Sequence, residues 1–113
     1  MKDLLIQTLS ALGYDVILQG TLAEDEPYPE SFITFTTISS PETVHLDDNP
    51  HGTQWQYSVI FYTSNPALMS TVPTQIYNAM RGAGFVPQGK GFDIPSDEPT
   101  HTGWANEYYY LEI

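Results

Sequence analysis

The chain has 113 residues, of which 41% are hydrophobic and 13% aromatic, enough for one domain with a single core. It contains no cysteine, so a disulfide framework is excluded, and its apolar N-terminal cluster is too short for a signal peptide or a membrane span. Fourteen carboxylates against three Lys and Arg residues give a formal net charge of −11, which disfavours nucleic acids and anionic membranes as partners. We therefore expect one soluble, unprocessed domain over residues 1–113.

The first predicted element is a helix over residues 2–12. Leu5, Leu9 and Leu12 recur along one stripe of it, and Gly13 follows as a C-terminal cap. A brief strand is predicted next, over residues 14–18. The segment TLAEDEPYPES then carries four carboxylates and two prolines, which is typical of a solvated loop.

Two longer strands are predicted in the middle of the chain. Residues 32–39 carry β-branched and aromatic side chains on both faces, which indicates a strand enclosed from two sides. Residues 54–63 carry apolar side chains at every second position, which predicts a central strand with one buried face, and Ile60 and Tyr62 break the polar side towards its end. The residues expected on that face are Trp55, Tyr57, Val59 and Phe61. The connection over residues 40–53 exceeds a tight turn, so we expect either an extended β-arm or a functional loop, with a short strand at 44–46.

A second helix is predicted after Pro66, which takes the first helical position, and apolar residues recur every four positions as far as Met80. Pro73 lies inside this stretch and leaves two alternatives open. The helix is kinked there, or a first turn ends near Met69 and the main helix begins around Thr71.

The remaining segments are a loop-rich region over residues 85–99, with one short strand, and an aromatic closing strand over 105–113. The resulting order of helices and strands predicts an α+β fold. We expect a mostly antiparallel sheet of about four strands with two helices packed on one face, in a single domain.

Two groups of acidic and imidazole side chains are candidates for metal chemistry. They are Asp47, Asp48 and His51 in the long connection, and Asp93, Asp97, Glu98 and His101 near the C-terminus. Carboxylates with imidazole bind divalent cations, and two converging groups would make a small metal-dependent hydrolase. Their spacing matches no metal signature, and such residues in loops more often form turns and caps. We therefore predict no catalytic residue, no metal and no cofactor.

The aromatic residues near the C-terminus are candidates for contact between subunits. Tyr108, Tyr109 and Tyr110 are consecutive, so the middle one points away from its two neighbours. Tyrosine is common both in cores and in interfaces, which leaves intrachain burial and self-association open for Tyr108 and Tyr110. Trp104, just before them, is a further candidate for contact with a neighbour.

Several segments carry a family resemblance. They are FITF after the acidic loop, LDDNPHG, VIFYT, the Asn-Pro that opens a helix, and FDIPSDEPTHTGWANEYYYLEI at the end. Together they resemble the tail-completion proteins of long-tailed bacteriophages, the tail terminators and head–tail joining proteins. The resemblance is clearest over residues 32–113 and consists of structural patterns, with no catalytic residue to transfer.

This resemblance implies a subunit that assembles into a ring, commonly a hexamer, at the head-proximal end of the phage tail. Such a ring ends growth of the tail tube, joins tail to head, and lets DNA pass without sequence-specific contact. The implied partners are further copies of the chain and the tail-tube and head-connector proteins. The implied location is the virion, and the host cytoplasm during assembly. By analogy, ring contacts are expected in residues 40–53, including Asp47 and Asp48, and in residues 85–103.

Two other functions stay open on the residues alone. A metal-dependent hydrolase would require the two acidic groups to converge. An acidic binding module that mimics nucleic acid would require carboxylates concentrated on one face, whereas the acids are spread over nearly every loop. The glycines beside Lys90 lack the setting of a phosphate loop and are predicted to form turns. We therefore favour a structural assembly protein over an enzyme.

Overall fold

The computed structural model describes residues 2–18, 30–39, 42–46, 49–95 and 100–112, with the backbone alone at 39, 42–46 and 49–52. These residues form two α-helices, one 3-10 helix and seven strands. In chain order they are α1 (Lys2–Ser10), β1 (Asp15–Leu18), β2 (Ser31–Ser39), β3 (Glu42–Leu46), β4 (Asn49–Thr63), the 3-10 helix (Pro66–Ser70), α2 (Val72–Gly82), β5 (Val86–Pro87), β6 (Phe92–Pro95) and β7 (Thr102–Glu112). The predicted α+β class is confirmed.

The strands of the described residues form one mixed sheet. Its main path runs β1-β2-β4-β7-β5, with β3 also paired to β4 and β6 to β7. β1 is parallel to β2, and the other pairs are antiparallel. The prediction of about four strands is too low. The short strands expected at 14–18 and 44–46 are present as β1 and β3. β5 and β6 have only two and four residues, too few to show an alternating pattern.

Both helices contribute to one core on a single face of the sheet, here called the helix face. Directly opposite residues of paired strands share a face, and the register sets Ile33 opposite Phe61 and Tyr57 opposite Tyr108. These four side chains are buried in the same cluster as side chains of α1 and α2. The helix residues in this cluster are Leu5, Leu9, Val72, Ile76 and Met80. The predicted buried face of the central strand is therefore confirmed at Tyr57, Val59 and Phe61, whereas Trp55 is only partly buried.

The segment around Pro73 follows the second of the two alternatives. Asn65 caps the 3-10 helix, because its side-chain oxygen accepts a hydrogen bond from the Ala67 N–H at 3.1 Å. The 3-10 helix ends at Ser70, and α2 begins at Val72. Pro73 thus lies in the first turn of α2, where a missing backbone N–H leaves no intrahelical hydrogen bond unmade.

β4 has fifteen residues and extends beyond its main partner. β7 pairs with β4 from Thr53 to Thr63, whereas the first part of β4 pairs with β3. At about 3.4 Å per residue the strand is about 50 Å long, close to the longest dimension of the molecule, 53 Å. Of the two alternatives for residues 40–53, an extended β-arm is what the described residues form. The name β-arm is used below for β3 and residues 49–52.

Tyr108 lies in the centre of this core and is 1% exposed. Burial raises the pKa of its hydroxyl from 10.0 to about 12. The hydrogen bond with Asn106 lowers this pKa, but by less than burial raises it. Burial also raises the pKa of Tyr57, on the neighbouring strand, and the charge of Glu112 adds to that effect. The folded chain therefore holds these protons more tightly than the unfolded chain does.

We expect the Tyr108 hydroxyl to make the fold sensitive to alkali. Its contribution is complete below about pH 10 and is lost as the pH rises towards about 12, because only the unfolded chain ionises in that window. The loss should reach about 1 kcal/mol by about pH 11. Urea unfolding near pH 9 and near pH 11 measures it, and Tyr108→Phe should lose less stability between the two than the wild type. Equal losses in both proteins would contradict this assignment, and Tyr109→Phe, outside the core, is the matched control.

Candidate functional site

The residues predicted as metal ligands are only partly within the described ranges. Asp47, Asp48, Asp97 and Glu98 lie outside them, and His51 lies in β4 with its backbone alone described. Asp93 is exposed on β6 opposite Trp104 of the helix face. The His101 ring instead lies 6.1 Å from the ring of Phe32, on the other face of the sheet. Among the described residues no three His, Cys, Asp or Glu side chains are grouped to hold a metal ion, so convergence of the two groups stays a prediction.

The predicted interface residues have different surroundings. Asp47 and Asp48 lie outside the described residues. Tyr108 is buried, so of the two alternatives intrachain burial applies to it. Tyr110 is half-buried, with its ring 4.9 Å from that of Phe85. Trp104 is also half-buried, and its indole N–H donates a hydrogen bond to the Lys90 carbonyl at 3.1 Å.

The face of the sheet opposite the helices, here called the open face, carries exposed apolar side chains along β7. The register places Phe92 beside Ala105, and Val86 beside Tyr109. Phe92 is 56% exposed, Val86 60% and Leu111 49%. Glu107 lies on the same face, because it is two positions from both Ala105 and Tyr109. The open face thus presents two apolar groups with a carboxylate between them.

Near β2 the open face is closed by its own side chains. Phe32 is 1% exposed and stacks on Tyr62 at a ring distance of 5.2 Å. A Cβ at Gly103 would lie 2.9 Å from atoms of both Ile94 and Tyr62, so these two side chains lie directly over β7. Among the described residues, the exposed apolar side chains around β7 therefore lie towards β5 and the start of β6, and Ile38, 45% exposed, lies apart from them near the end of β2.

Sequence reasoning missed the open face because it depends on β5 and β6. These strands have two and four residues, and the positions of Val86 and Phe92 follow from their pairing with β7. The one signal in the sequence is an aromatic residue next to a glycine turn, in GKGFDIP, outside any predicted apolar stripe.

A cleft of about 250 Å³ lies at the same edge of the sheet, on the helix face, between α2, the 3-10 helix and the segment before β6. Its lining residues are Met69, Pro73, Thr74, Tyr77, Asn78, Lys90 and Trp104. The Lys90 ammonium lies 4.1 Å from the centre of the Tyr77 ring, and the Arg81 guanidinium lies 5.8 Å from it. Two cations therefore flank one aromatic ring.

The backbone that carries Lys90 is held against β7 by three hydrogen bonds. The Gln88 N–H donates to the Glu107 carbonyl at 2.9 Å, and the Asn106 side-chain amide donates to the Gly89 carbonyl at 2.9 Å. The third is the bond from the Trp104 indole to the Lys90 carbonyl. This segment, residues 88–91, is called the strap below. It fixes the base of the Lys90 side chain at the mouth of the cleft.

Comparisons with known proteins add no relative to this description. No protein-family model matches the chain, and a search of curated proteins finds no significant match. No helix within the described ranges is both long and apolar enough to cross a membrane. What the chain does is therefore inferred from its own residues.

Proposed function

We propose that this chain is a structural assembly protein whose copies associate into a ring. The observation that carries the proposal is the open face, where Val86, Phe92 and Leu111 are about half exposed at one edge of the sheet. Single apolar residues on a surface need no explanation, whereas grouped ones mark a contact surface. Burying each of these side chains in a contact between copies would contribute on the order of 1 kcal/mol to the free energy of association.

The β-arm supports the same proposal. A two-stranded hairpin is marginally stable on its own in water. The β4 end of the arm, residues 49–52, lies beyond the stretch that pairs with β7, which begins at Thr53. No strand among the described residues pairs with that edge, and an unpaired strand edge can pair with another chain. In a ring, the arm of one copy reaches its neighbour.

The ring lies at the head-proximal end of a phage tail, where it ends growth of the tail tube and joins the tail to the head. This step rests on the resemblance of residues 32–113 to tail-completion proteins. The net charge of −11 supports it too, because a negatively charged lumen does not attract the DNA that passes through. In this role the chain contacts tail-tube and head-connector proteins in the virion and catalyses no reaction.

Light scattering on a sizing column, followed by negative-stain imaging, tests self-association. We expect the mass to rise with concentration to a fixed multiple of 12.7 kDa, and the large species to appear as closed rings with a central hole. A monomeric mass at every concentration up to hundreds of micromolar would contradict the proposal.

The position in the tail is tested separately, with the tail-tube protein encoded in the same genome. Tubes that polymerise in the presence of the chain should stop at a shorter mean length and carry it at one end. Tubes of unchanged length without bound chain would contradict the tail assignment. They would not bear on self-association, which the light-scattering experiment tests.

A further inference from the structure

The cleft is lined by one cation of a strongly acidic protein, Lys90, and a second, Arg81, lies at the Tyr77 ring that forms part of its wall. The chain has three Lys and Arg residues, Lys2, Arg81 and Lys90, against fourteen carboxylates. Two of these three lie at the ring of Tyr77. In the described part of the chain, both cations contact this ring. The cleft is therefore a local positive site on an otherwise negative molecule.

The cleft lining matches a carboxylate on a short hydrocarbon stem. Lys90 supplies a donor with full positive charge, and Arg81, outside the lining, adds a second cation at the Tyr77 ring. Thr74 and Asn78 add neutral polar groups, and Met69 and Pro73 add apolar wall. Among the described residues no Asp or Glu lines the cleft, and Asp93 is exposed near it, opposite Trp104. A glutamate side chain fits this chemistry, because its methylene groups meet the apolar wall while its carboxylate meets the cations.

The open face carries the complementary group. Glu107 lies between the apolar group of Phe92 and that of Val86 and Leu111. The cleft has the inverse arrangement, a cation beside apolar and aromatic walls. The two surfaces lie on opposite faces of the sheet at the same edge, so one copy can present its open face to the cleft of the next. A contact between two different surfaces is heterologous and closes into a ring when its rotation permits.

We infer that the cleft is the receiving site for Glu107 of a neighbouring copy of this chain. The inference rests on the proposed function and names the contact through which the ring forms. A direct ion pair at this contact opposes the repulsion between two subunits of charge −11, because exposed charges farther apart than about 8 Å are screened. It also selects the orientation of the subunits, since the reverse arrangement would oppose like charges.

A charge swap tests the pairing. Lys90→Glu and Glu107→Lys should each weaken association about tenfold per interface. The double variant should restore it to within about threefold, because the pair is re-formed with reversed polarity. The matched controls are Lys2→Glu, Asp3→Lys and their double variant on α1, which change the charge equally at exposed positions and should shift association less than about threefold. The readout is the concentration dependence of the mass at low and high salt.

If the wild type associates and the two single variants match their controls, the pairing is overturned and the proposed ring stands. If the singles weaken association and their effects add in the double variant, Lys90 and Glu107 do not contact each other and the inference is again overturned. A wild type that stays monomeric overturns the proposed function, and this inference with it.

Two further measurements distinguish loss of the ion pair from misfolding and from binding of a small molecule in the cleft. Lys90→Met retains the stem over Tyr77, so it should fold like the wild type, with the same near-UV circular dichroism, and still weaken association. Titration with free glutarate, followed by Trp104 fluorescence in a Trp55→Phe background, tests a small-molecule ligand. Saturable micromolar binding of glutarate, with association insensitive to the charge swap, would reassign the cleft and overturn the inference.

Discussion

Phe92→Glu is expected to weaken self-association at least about a hundredfold while the monomer stays folded. Phe92 is 56% exposed on a four-residue strand, so its replacement removes few contacts within the chain. In an associated pair, the new carboxylate would be buried without a partner beside the apolar side chains of the open face. Burying such a charge costs several kcal/mol, and about 2.8 kcal/mol is a factor of a hundred in affinity.

Two control variants separate the open face from general charge repulsion. Phe92→Leu keeps an apolar side chain and should associate within about threefold of the wild type. Gln7→Glu adds the same negative charge at an exposed position of α1 and should also have little effect. Sedimentation equilibrium on all four proteins gives the constants. Equal association of Phe92→Glu and the wild type would exclude the open face as the contact surface.

Gly91→Ala is expected to destabilise the fold by about 2 to 4 kcal/mol. Gly91 has a φ of +100°, a backbone conformation that residues with a Cβ rarely adopt. An added Cβ would also overlap the Trp104 indole and lie 2.7 Å from the backbone oxygen of Ala105. The backbone of β7 cannot yield, so the strap has to move away from it.

The matched control is Gly89→Ala, two residues earlier in the same strap. A Cβ at Gly89 meets no atom within 4 Å, so this variant should change stability by less than about 0.5 kcal/mol. Urea unfolding gives both values, and the fluorescence of Trp104 reports whether the strap has moved. Similar stability of the two alanine variants would show that the strap is not held against β7 as described.

The sequence predicted the parts of the fold that have long, regular patterns. The central strand carries an apolar residue at every second position from Trp55 to Phe61, so its buried face, with Tyr57, Val59 and Phe61, could be assigned from the sequence. The leucines of α1 follow the helical period and are buried as expected at Leu5 and Leu9. In both elements the local pattern and the tertiary packing agree.

The pairing of the short strands could not be predicted, although strands were expected at 14–18 and 44–46, because pairing is decided by distant residues. β5 has two residues, and only the edge of β7 defines it as a strand. The parallel direction of β1 and β2 was likewise not predictable, because the side chains of a four-residue strand do not indicate whether its partner is parallel or antiparallel.

The candidate surfaces show the same limit. Tyr108 was a candidate for intersubunit contact because of its neighbours in the sequence, whereas its place opposite Tyr57 buries it. Lys90 and Tyr77 are thirteen positions apart, and only the strap brings the ammonium over the ring. The part that local spacing could have indicated is Arg81, one helical turn after Tyr77.

Hydrogen exchange at low and high protein concentration tests the central claim, self-association through the open face, most directly. We expect amides in peptides covering residues 86–95 and 102–112 to exchange more slowly at high concentration, while those of α1 stay unchanged. Phe92→Glu should remove the difference. Slower exchange confined to α1 and α2, or no concentration dependence at all, would contradict the account.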